Sequence, residues 1–295
     1  MANTIAGVNL AKVAMDSLPA LADLFAPLNA LTTDFSGDIK DSGASITTRI
    51  PTNVSSSDMT GGYQTGAQDV AMVAKTVTLD QFPGFTYGFS DLERSKSEVD
   101  LLRLFIEPAL EAVGEAVFGY VWNLVTAANF ASTEVITEAN WDRSDIADVG
   151  ATLTIAKAQK GGRSILMNPS YYASIVKTLN SAEFPGQTEG KAEAIAPRVA
   201  KFDLYETTLA DANGENLAAF ALQKNALIFA GRTLVADEMT AKAGVDVEIV
   251  MVPGLGLPVQ FRKWYDPDGK LYYNMNVLFG ASVAIGTAGH RITSA

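Results

Sequence analysis

The chain has 295 residues, of which 48% are hydrophobic and 19% are charged, and its formal net charge is -11. This length suffices for one large domain or two smaller ones, and so small a charged fraction indicates that part of the surface meets other protein. The acidic balance argues against a surface that grips nucleic-acid phosphates, and the lack of cysteine excludes disulfides, thiolate nucleophiles and sulfur-ligated zinc.

The first 40 residues consist of short amphipathic pieces. Leu18, Leu21 and Leu24 would share one side of a short helix, which is followed by the polar run FSGDIKDSGA. We interpret this segment as an arm. It lacks the basic start and unbroken apolar run of a signal peptide, so we expect a soluble intracellular protein. The apolar segment 108–130 contains two glutamates, which argues against a membrane span.

A long polar loop separates the first two predicted strands. Alternating apolar residues predict strands at about 46–50 and 73–79, and a third strand at 85–89. Between the first two lies the glycine-rich segment TNVSSSDMTGGYQTGAQD. A linker this long inside a compact domain is typical of a functional or mobile loop, so we predict a projecting hairpin.

Two helices are predicted next. Ser95 and Glu98 match a capping box that opens a short helix running to about Ile106. Pro108 suits the first turn of a longer helix, since a missing N–H costs nothing there, and apolar residues continue at helical spacing to Phe130. Because this apolar stripe is broad, we predict a central helix that packs on both flanks.

The rest of the chain mixes helix and strand. Ser144 and Asp145 start a helix that should end near Lys160. In ILMNPSYYASIVKTL, an apolar strand stops at Asn168-Pro169, because the residue before a proline avoids helical angles, and a new helix follows. Further strands are predicted at 217–222, 226–230, 245–249 and 277–285, with a hairpin turn at DPDG, residues 266–269.

No residue set in the sequence fits a catalytic site. His290, the only histidine, has no evident carboxylate to orient it, so we interpret it as a partly exposed terminal residue and expect no triad. Gly254 and Gly256 in VPGLGLP lack the other residues of a phosphate loop and fit a bend between strands. We expect no enzyme activity, no cofactor and no metal centre.

Three glutamates share one face of the predicted central helix, because Glu107, Glu111 and Glu115 are spaced four residues apart. As a metal site they would need a second element that carries carboxylates. As ordinary residues near a helix start they would be favoured by the helix dipole. A third interpretation is that they form salt bridges to a neighbouring subunit.

The order of these elements resembles that of the major capsid proteins of tailed bacteriophages, whose fold is named after phage Hong Kong 97. The resemblance covers nearly the whole chain. Its most specific part is ILMNPSYYASIVKTL, since family members show an apolar strand ending in Asn-Pro, then an aromatic residue and a short helix, near the capsomer axis. The ending LYYNMNVLFGASVAIGTA is similar to the family's closing strands.

The resemblance implies an α+β capsid fold with four parts. Residues 1–40 would form the N-terminal arm, and residues 41–91 the extended β-hairpin loop that reaches over a neighbouring subunit. Residues 92–142 together with 258–295 would form the peripheral domain, which contains the long spine helix. Residues 143–257 would form the axial domain.

The resemblance also implies a structural function. The chain would form hexamers and pentamers that build an icosahedral shell in the host cytoplasm and then, as the virion capsid, enclose double-stranded DNA without binding it specifically. The expected assembly contacts are Met59 and Tyr63 at the loop tip, with Glu107, Glu111 and Glu115. A portal and a separate scaffolding protein are expected partners, unless a scaffold region is removed before residue 1.

One feature of some family members is not expected in this chain, and two alternative functions remain open. The loop tip VSSSDMTGGYQTG has no lysine and Lys75 lies in the flanking strand, so we do not expect the covalent cross-link of some family members. An encapsulin-type nanocompartment has the same fold and would hold an enzyme cargo. An unrelated glycan-binding module would use the aromatic residues Tyr171, Tyr172, Tyr272 and Tyr273.

Overall fold

A computed structural model describes residues 10, 14–15, 17–33, 45–51, 56, 58–63, 72–178, 198–208, 213–232, 244–252 and 255–294. The helices in these ranges are α1 (Leu18–Leu24), α2 (Asp91–Asn123), α3 (Arg143–Ile155) and α4 (Pro169–Thr178). The strands are β1 (Ser45–Pro51), β2 (Met72–Thr78), β3 (Gly84–Phe89), β4 (Thr133–Val135), β5 (Arg163–Met167), β6 (Phe202–Glu206), β7 (Leu217–Gln223), β8 (Leu227–Arg232), β9 (Asp246–Met251), β10 (Pro258–Tyr265), β11 (Leu271–Asn276), β12 (Leu278–Val283) and β13 (Gly289–Thr293).

The strands form two larger sheets and two ribbons. The five-stranded sheet has the order β4-β13-β7-β5-β6, and the four-stranded sheet has the order β3-β11-β10-β9. The pairs β1-β2 and β12-β8 are two-stranded. All pairings are antiparallel except β13 with β4 and β5 with β6. The mixture of helices and sheets confirms the predicted α+β class.

Helix α2 is a single helix of 33 residues, so the predicted division into two helices is wrong. Its N-cap is Ser90, whose backbone N–H donates to the Glu93 carboxylate at 2.9 Å in a capping box. The predicted box at Ser95 was a chance match to the same pattern. Pro108 lies inside the helix with an exposed ring, and Ala109, Leu110 and Val113 directly after it are buried in the main core.

The main core lies between α2 and the four-stranded sheet. The buried side chains of Val113, Val117 and Val121 belong to the same apolar cluster as Tyr273 and Met275 of β11. Part of the predicted N-terminal arm joins this core, since α1 and the 3-10 helix after it bury apolar side chains there. These residues are Leu21, Phe25, Leu28 and Leu31.

A second core lies between the five-stranded sheet and helices α3 and α4. Strand β5 is buried along its whole length, and Asn168 follows it as predicted. The Asn168 side-chain oxygen accepts hydrogen bonds from the Tyr171 backbone N–H at 3.0 Å and the Ser170 hydroxyl at 3.1 Å. Asn168 therefore ends the strand and opens α4, which starts with Pro169.

The turn chemistry of the four-stranded sheet agrees with the sequence. The Asp266 N–H donates to the Lys270 carbonyl at 2.8 Å, and Gly269 has a φ of 82°, which favours glycine. The Gly256 N–H donates to the Val252 carbonyl at 3.0 Å between β9 and β10. The predicted hairpin is confirmed, and the predicted bend is confirmed at Gly256, whereas Gly254 lies outside the described residues.

Strand pairing crosses the boundaries that the sequence suggested for the domains. Strand β3, expected in the extended loop, pairs with β11, and β9 pairs with β10 across residue 257. The last strand, β13, pairs with β7 and β4 rather than with the neighbouring strands in sequence. No helix in the described ranges is long and apolar enough to cross a membrane.

Candidate assembly surfaces

The β1-β2 hairpin has a buried root. Val77 and Leu79, at the end of β2, pack in a small cluster with Ile228 and Ala230 of β8. Just beyond β2, Gln81 and Phe279 exchange two backbone hydrogen bonds of 3.1 and 3.0 Å. The root of the hairpin is therefore fixed to strands β8 and β12.

Gly280 of β12 allows this close approach. A Cβ atom added at Gly280 would overlap the carbonyl oxygen of Thr78, the last residue of β2. Only glycine lets the two backbones cross at this distance. The crossing fixes the direction in which the hairpin leaves the rest of the chain.

Beyond its root, the hairpin exposes side chains that the rest of the chain does not cover. Thr47 and Arg49 on one face of β1 are exposed, and the Thr47 and Thr76 hydroxyls lie 3.1 Å apart across the ribbon. The strands carry Arg49 and Lys75 but no acidic residue. Because a two-stranded ribbon alone is marginally stable in water, such a hairpin is typical of a segment that packs against a partner.

The described part of the loop tip, residues 58–63, presents two apolar side chains to solvent. Met59 is 53% exposed and Tyr63 is 92% exposed. A turn holds them, in which the Gly62 N–H donates to the Met59 carbonyl at 3.0 Å. Hydrogen bonds from Thr60 lower the pKa of Asp58 below its usual value, so this carboxylate is ionised at neutral pH.

Helix α2 carries an exposed acidic ridge, which we define as Glu111 and Glu115 with the small residues Ala112, Ala116 and Gly119 beside them on the helix. Both glutamates and both alanines are exposed, and a Cβ at Gly119 would meet nothing within 4 Å. The Glu107 side chain lies outside the described residues. Among the described residues, no group of three or more side chains is arranged to hold a metal ion.

The end of α2 is clamped to the five-stranded sheet by the loop at 213–216. The Asn213 amide donates to the Val125 carbonyl at 2.8 Å, and the Glu215 carboxylate accepts from the Ala127 N–H at 3.0 Å. The same carboxylate forms an ion pair with Arg291 of β13, whose side chain is buried. This clamp holds the long helix and the sheet in one orientation.

His290 is buried rather than partly exposed, so that prediction is wrong. It is only 4% exposed, and its Nδ1 lies 2.7 Å from the Ser132 hydroxyl. Its Nε2 has no hydrogen-bond partner and lies 3.6 Å from the Glu134 carboxylate. Burial lowers the pKa of His290, so the ring is neutral at pH 7.

Arg163 is a structural residue that the sequence reading missed. Its buried guanidinium donates to the carbonyls of Gly150, Ala158 and Gln159, each at 2.9 Å, and to the Thr154 hydroxyl at 3.1 Å. These bonds tie the body of α3 at Gly150 to the turn that follows the helix at Ala158 and Gln159. The signal available in the sequence was a lone arginine after Gly161-Gly162, which has no specific pattern.

The aromatic residues proposed for a glycan site do not form one surface. Tyr171 is buried and its hydroxyl donates to the Ile136 carbonyl at 2.6 Å. Tyr273 is buried in the main core, whereas Tyr272 stacks on Trp264 with ring centroids 5.4 Å apart. Packing explains two of these residues without a ligand.

The fold of this chain is similar to the folds of proteins of known structure. No family model matches the chain, and no curated protein matches it in sequence. A solved structure of Mycobacterium phage Che8 matches with a TM-score of 0.60 and 15% identity, over 90% of this chain and 89% of that chain. The capsid of Ralstonia phage GP4 matches with a TM-score of 0.58 and 10% identity, over 90% and 87% respectively.

A virus-like particle is similar as well. The crystal structure of a virus-like particle from Pyrococcus furiosus matches with a TM-score of 0.56 and 12% identity. The match covers 96% of this chain and 97% of that chain. At such identities the similarity concerns the fold, and it extends over nearly the full length of each chain.

Proposed function

We propose that this chain, which has the Hong Kong 97-type fold of tailed-phage major capsid proteins, is itself the major capsid protein of such a virus. The supporting observation is the fold match over nine-tenths of the chain to structures that include a phage capsid. The subunit forms hexamers and pentamers that close an icosahedral shell around double-stranded DNA. The chain is a structural protein without an enzymatic role.

The exposed hairpin supports a function that depends on neighbouring copies. Its root is fixed by buried contacts at Val77 and Leu79, while its strands and tip present side chains to solvent. In a shell, the hairpin of one subunit lies across the acidic ridge on α2 of the next subunit. Arg49 then faces Glu111 and Glu115, and the small residues of the ridge permit close approach.

The tip supplies apolar contact in this arrangement. Met59 and Tyr63 are large side chains with most of their surface exposed in the single chain. Burying them against a neighbouring subunit removes apolar area from water, which contributes roughly 25 cal/mol per Å². Glu107 stays a proposed contact because it continues the line of the ridge by one helical turn.

We keep the four-part division of the chain as a proposal, with boundaries that follow the sheets. Residues 1–40 are the N-terminal arm and 41–91 the extended loop, with β3 joining the sheet of the peripheral domain. The peripheral domain then combines α2 with that four-stranded sheet. The axial domain combines α3 and α4 with the five-stranded sheet, which takes in β13 from the segment 258–295.

The remaining partners follow from the same proposal. A shell of this kind needs a portal for DNA entry and a scaffolding protein to set its size, and it forms in the host cytoplasm. The net charge of -11 supports an inner wall that encloses DNA without gripping it. The lack of a lysine in VSSSDMTGGYQTG and the position of Lys75 in the flanking strand argue against covalent cross-linking of the subunits.

Electron microscopy of the purified protein, with light scattering on the same sample, tests this function. We expect closed shells or rings of five or six subunits, either directly or after addition of lysate from cells that carry the virus. A strict monomer at high concentration under both conditions would contradict the proposal. DNA inside shells from infected cells, protected from nuclease, distinguishes a virus capsid from other containers.

A second candidate is an encapsulin-type compartment. The observation that favours it is the match to the Pyrococcus furiosus virus-like particle, which covers almost all of both chains. In that case purified shells would contain a co-purifying protein and no protected DNA. Mass spectrometry of the shell contents separates the two functions.

A further inference from the structure

The two ends of α3 carry opposite charges. The helix has 13 residues and is therefore about 20 Å long. Residues 134–148, at and before its first turns, contain five acidic residues and one arginine. Residues 149–163, towards its end, contain two lysines and an arginine but no acidic residue.

The basic end consists of Lys157 and Lys160, which follow α3, and Lys224, all exposed. The Lys224 N–H donates to the Gly162 carbonyl at 2.9 Å, so the two segments are joined. Arg163 beneath them holds the turn in place through its four hydrogen bonds. Ile155 at the same end is 83% exposed, which is unusual for so large an apolar residue.

The acidic end consists of Glu134, Glu138, Asp142, Asp145 and Asp148. Val135, between the first two of these residues, is 64% exposed. Burial and the charges of Asp145 and Asp148 raise the pKa of Glu134, which means that these carboxylates repel one another. The buried Nε2 atom of His290 lies beneath Glu134 without a hydrogen-bond partner.

The dipole of α3 accounts for only part of this pattern. A helix favours acidic groups at its first turn and basic groups at its last turn, and Asp142 and Asp145 already serve as its cap. Glu134, Glu138 and Lys224 lie outside the helix. The dipole also gives no reason for an exposed apolar side chain at each end.

We infer that the basic end of α3 in one subunit docks on the acidic end of α3 in the next subunit, head to tail. Each contact pairs exposed lysines with the carboxylates and brings the apolar side chains of Ile155 and Val135 into one interface. The inference rests on the proposed function and specifies one contact of its rings. A head-to-tail contact joins different surfaces, so repeated copies close into a ring when the rotation allows it.

Charge reversal at each end tests this contact. The variant K157E/K160E makes both ends acidic, and the variant E134K/E138K/D148K makes the acidic end basic. We expect each variant to fold but to lose rings, with at least a tenfold rise in the protein concentration needed for assembly. The fivefold variant that combines all these changes restores opposite charges in every contact, so it should recover rings.

A mixture of these two variants gives a stricter result. Their ends match only when the two variants alternate, so the mixture should form rings with an even number of subunits and no pentamers. Native mass spectrometry reads the ring size directly. The matched control is K201E/K270E, which reverses two exposed lysines outside either end and should assemble as the unmodified protein does.

The possible outcomes separate this inference from the proposed function. If the unmodified protein assembles and both end variants assemble equally well, the head-to-tail contact is wrong and the capsid function stands. If the end variants lose assembly and the fivefold variant does not recover, the charges act within the subunit, which also contradicts the contact. If the unmodified protein never assembles, even with lysate, both proposals fail.

Discussion

His290 and Arg163 are buried polar side chains, and both hold secondary-structure elements in place. Arg163 binds carbonyl groups within 13 residues of itself, whereas the partners of His290 are at least 156 positions away in the chain. Neither contact follows a sequence pattern. Such residues were out of reach of sequence reasoning because their roles depend on which strand becomes the neighbour of which.

The buried state of His290 makes stability depend on pH. Its pKa is lowered in the folded chain, so the unfolded chain takes up a proton first as the pH falls below the ordinary value near 6.5. The contribution of His290 to the free energy of unfolding is therefore complete above that pH. Below it, this contribution decreases by at most about 1.4 kcal/mol per pH unit. We expect the free energy of unfolding to fall between pH 7.5 and 5.5.

The variant H290N isolates this effect. Asparagine is neutral throughout the range and reaches Ser132 with a polar atom at about the position of Nδ1. The raised pKa values of Glu134 and Asp145 act in the opposite direction but are present in both proteins. Urea unfolding at several pH values should show a smaller pH slope for H290N, and equal slopes would contradict the argument.

Elements that depend on local chemistry were predicted well from the sequence. The Asn168-Pro169 break and the DPDG turn each follow from backbone preferences of residues that are adjacent in the chain. Helix α2 was misjudged because Pro108 suits a first turn, whereas the helix continues through it and buries Ala109, Leu110 and Val113 directly after it. The order β4-β13-β7-β5-β6 was unpredictable because it joins strands from opposite ends of the chain.

Among the glycines, Gly280 and Gly119 give a matched pair for testing the hairpin root. The variant G280A forces a methyl group against the Thr78 carbonyl, so we expect it to lower the free energy of unfolding by roughly 1–3 kcal/mol. In G119A the methyl group enters open space on a helix, which should stabilise the chain by about 0.5–1 kcal/mol. Thermal unfolding measures both, and a neutral G280A would mean that the root can shift.

The proposed contact between the hairpin and the acidic ridge has its own charge test. Arg49→Glu places like charges opposite each other, and so does the variant E111R/E115R from the other side. We expect either change to raise the concentration needed for shell formation at least about tenfold, which corresponds to 1.4 kcal/mol per contact. Combining them in one chain should restore assembly, which light scattering follows, while Lys270→Glu alone should have no effect.

An opposite result in this test would locate the contact elsewhere. If Arg49→Glu prevents assembly and the combined variant does not recover, the hairpin docks on a different surface of the neighbouring subunit. If neither change affects assembly, the hairpin makes no charged contact. Both results would leave the fold and the root of the hairpin unaffected.

On the scale of the whole molecule, the net charge of -11 predicts weak interaction with DNA. Proteins that hold DNA by its phosphates release counterions, and their affinity falls steeply with salt. We expect fluorescence anisotropy with a duplex of about 20 base pairs to show no binding at 150 mM salt, for either the single chain or the shells. A tight, strongly salt-dependent affinity would contradict enclosure without binding.

The crossing of β2 over Gly280 also has a mechanical consequence. Each strand of the hairpin has seven residues and is about 24 Å long, while the crossing fixes it at one end. The hairpin can therefore tilt only about Thr78, and a tilt of about 10° there displaces the far end of the strands by about 4 Å. Because Thr78 packs on β12 and β8, a change of curvature in the proposed shell would displace these strands in the centre of the subunit when the hairpin tilts.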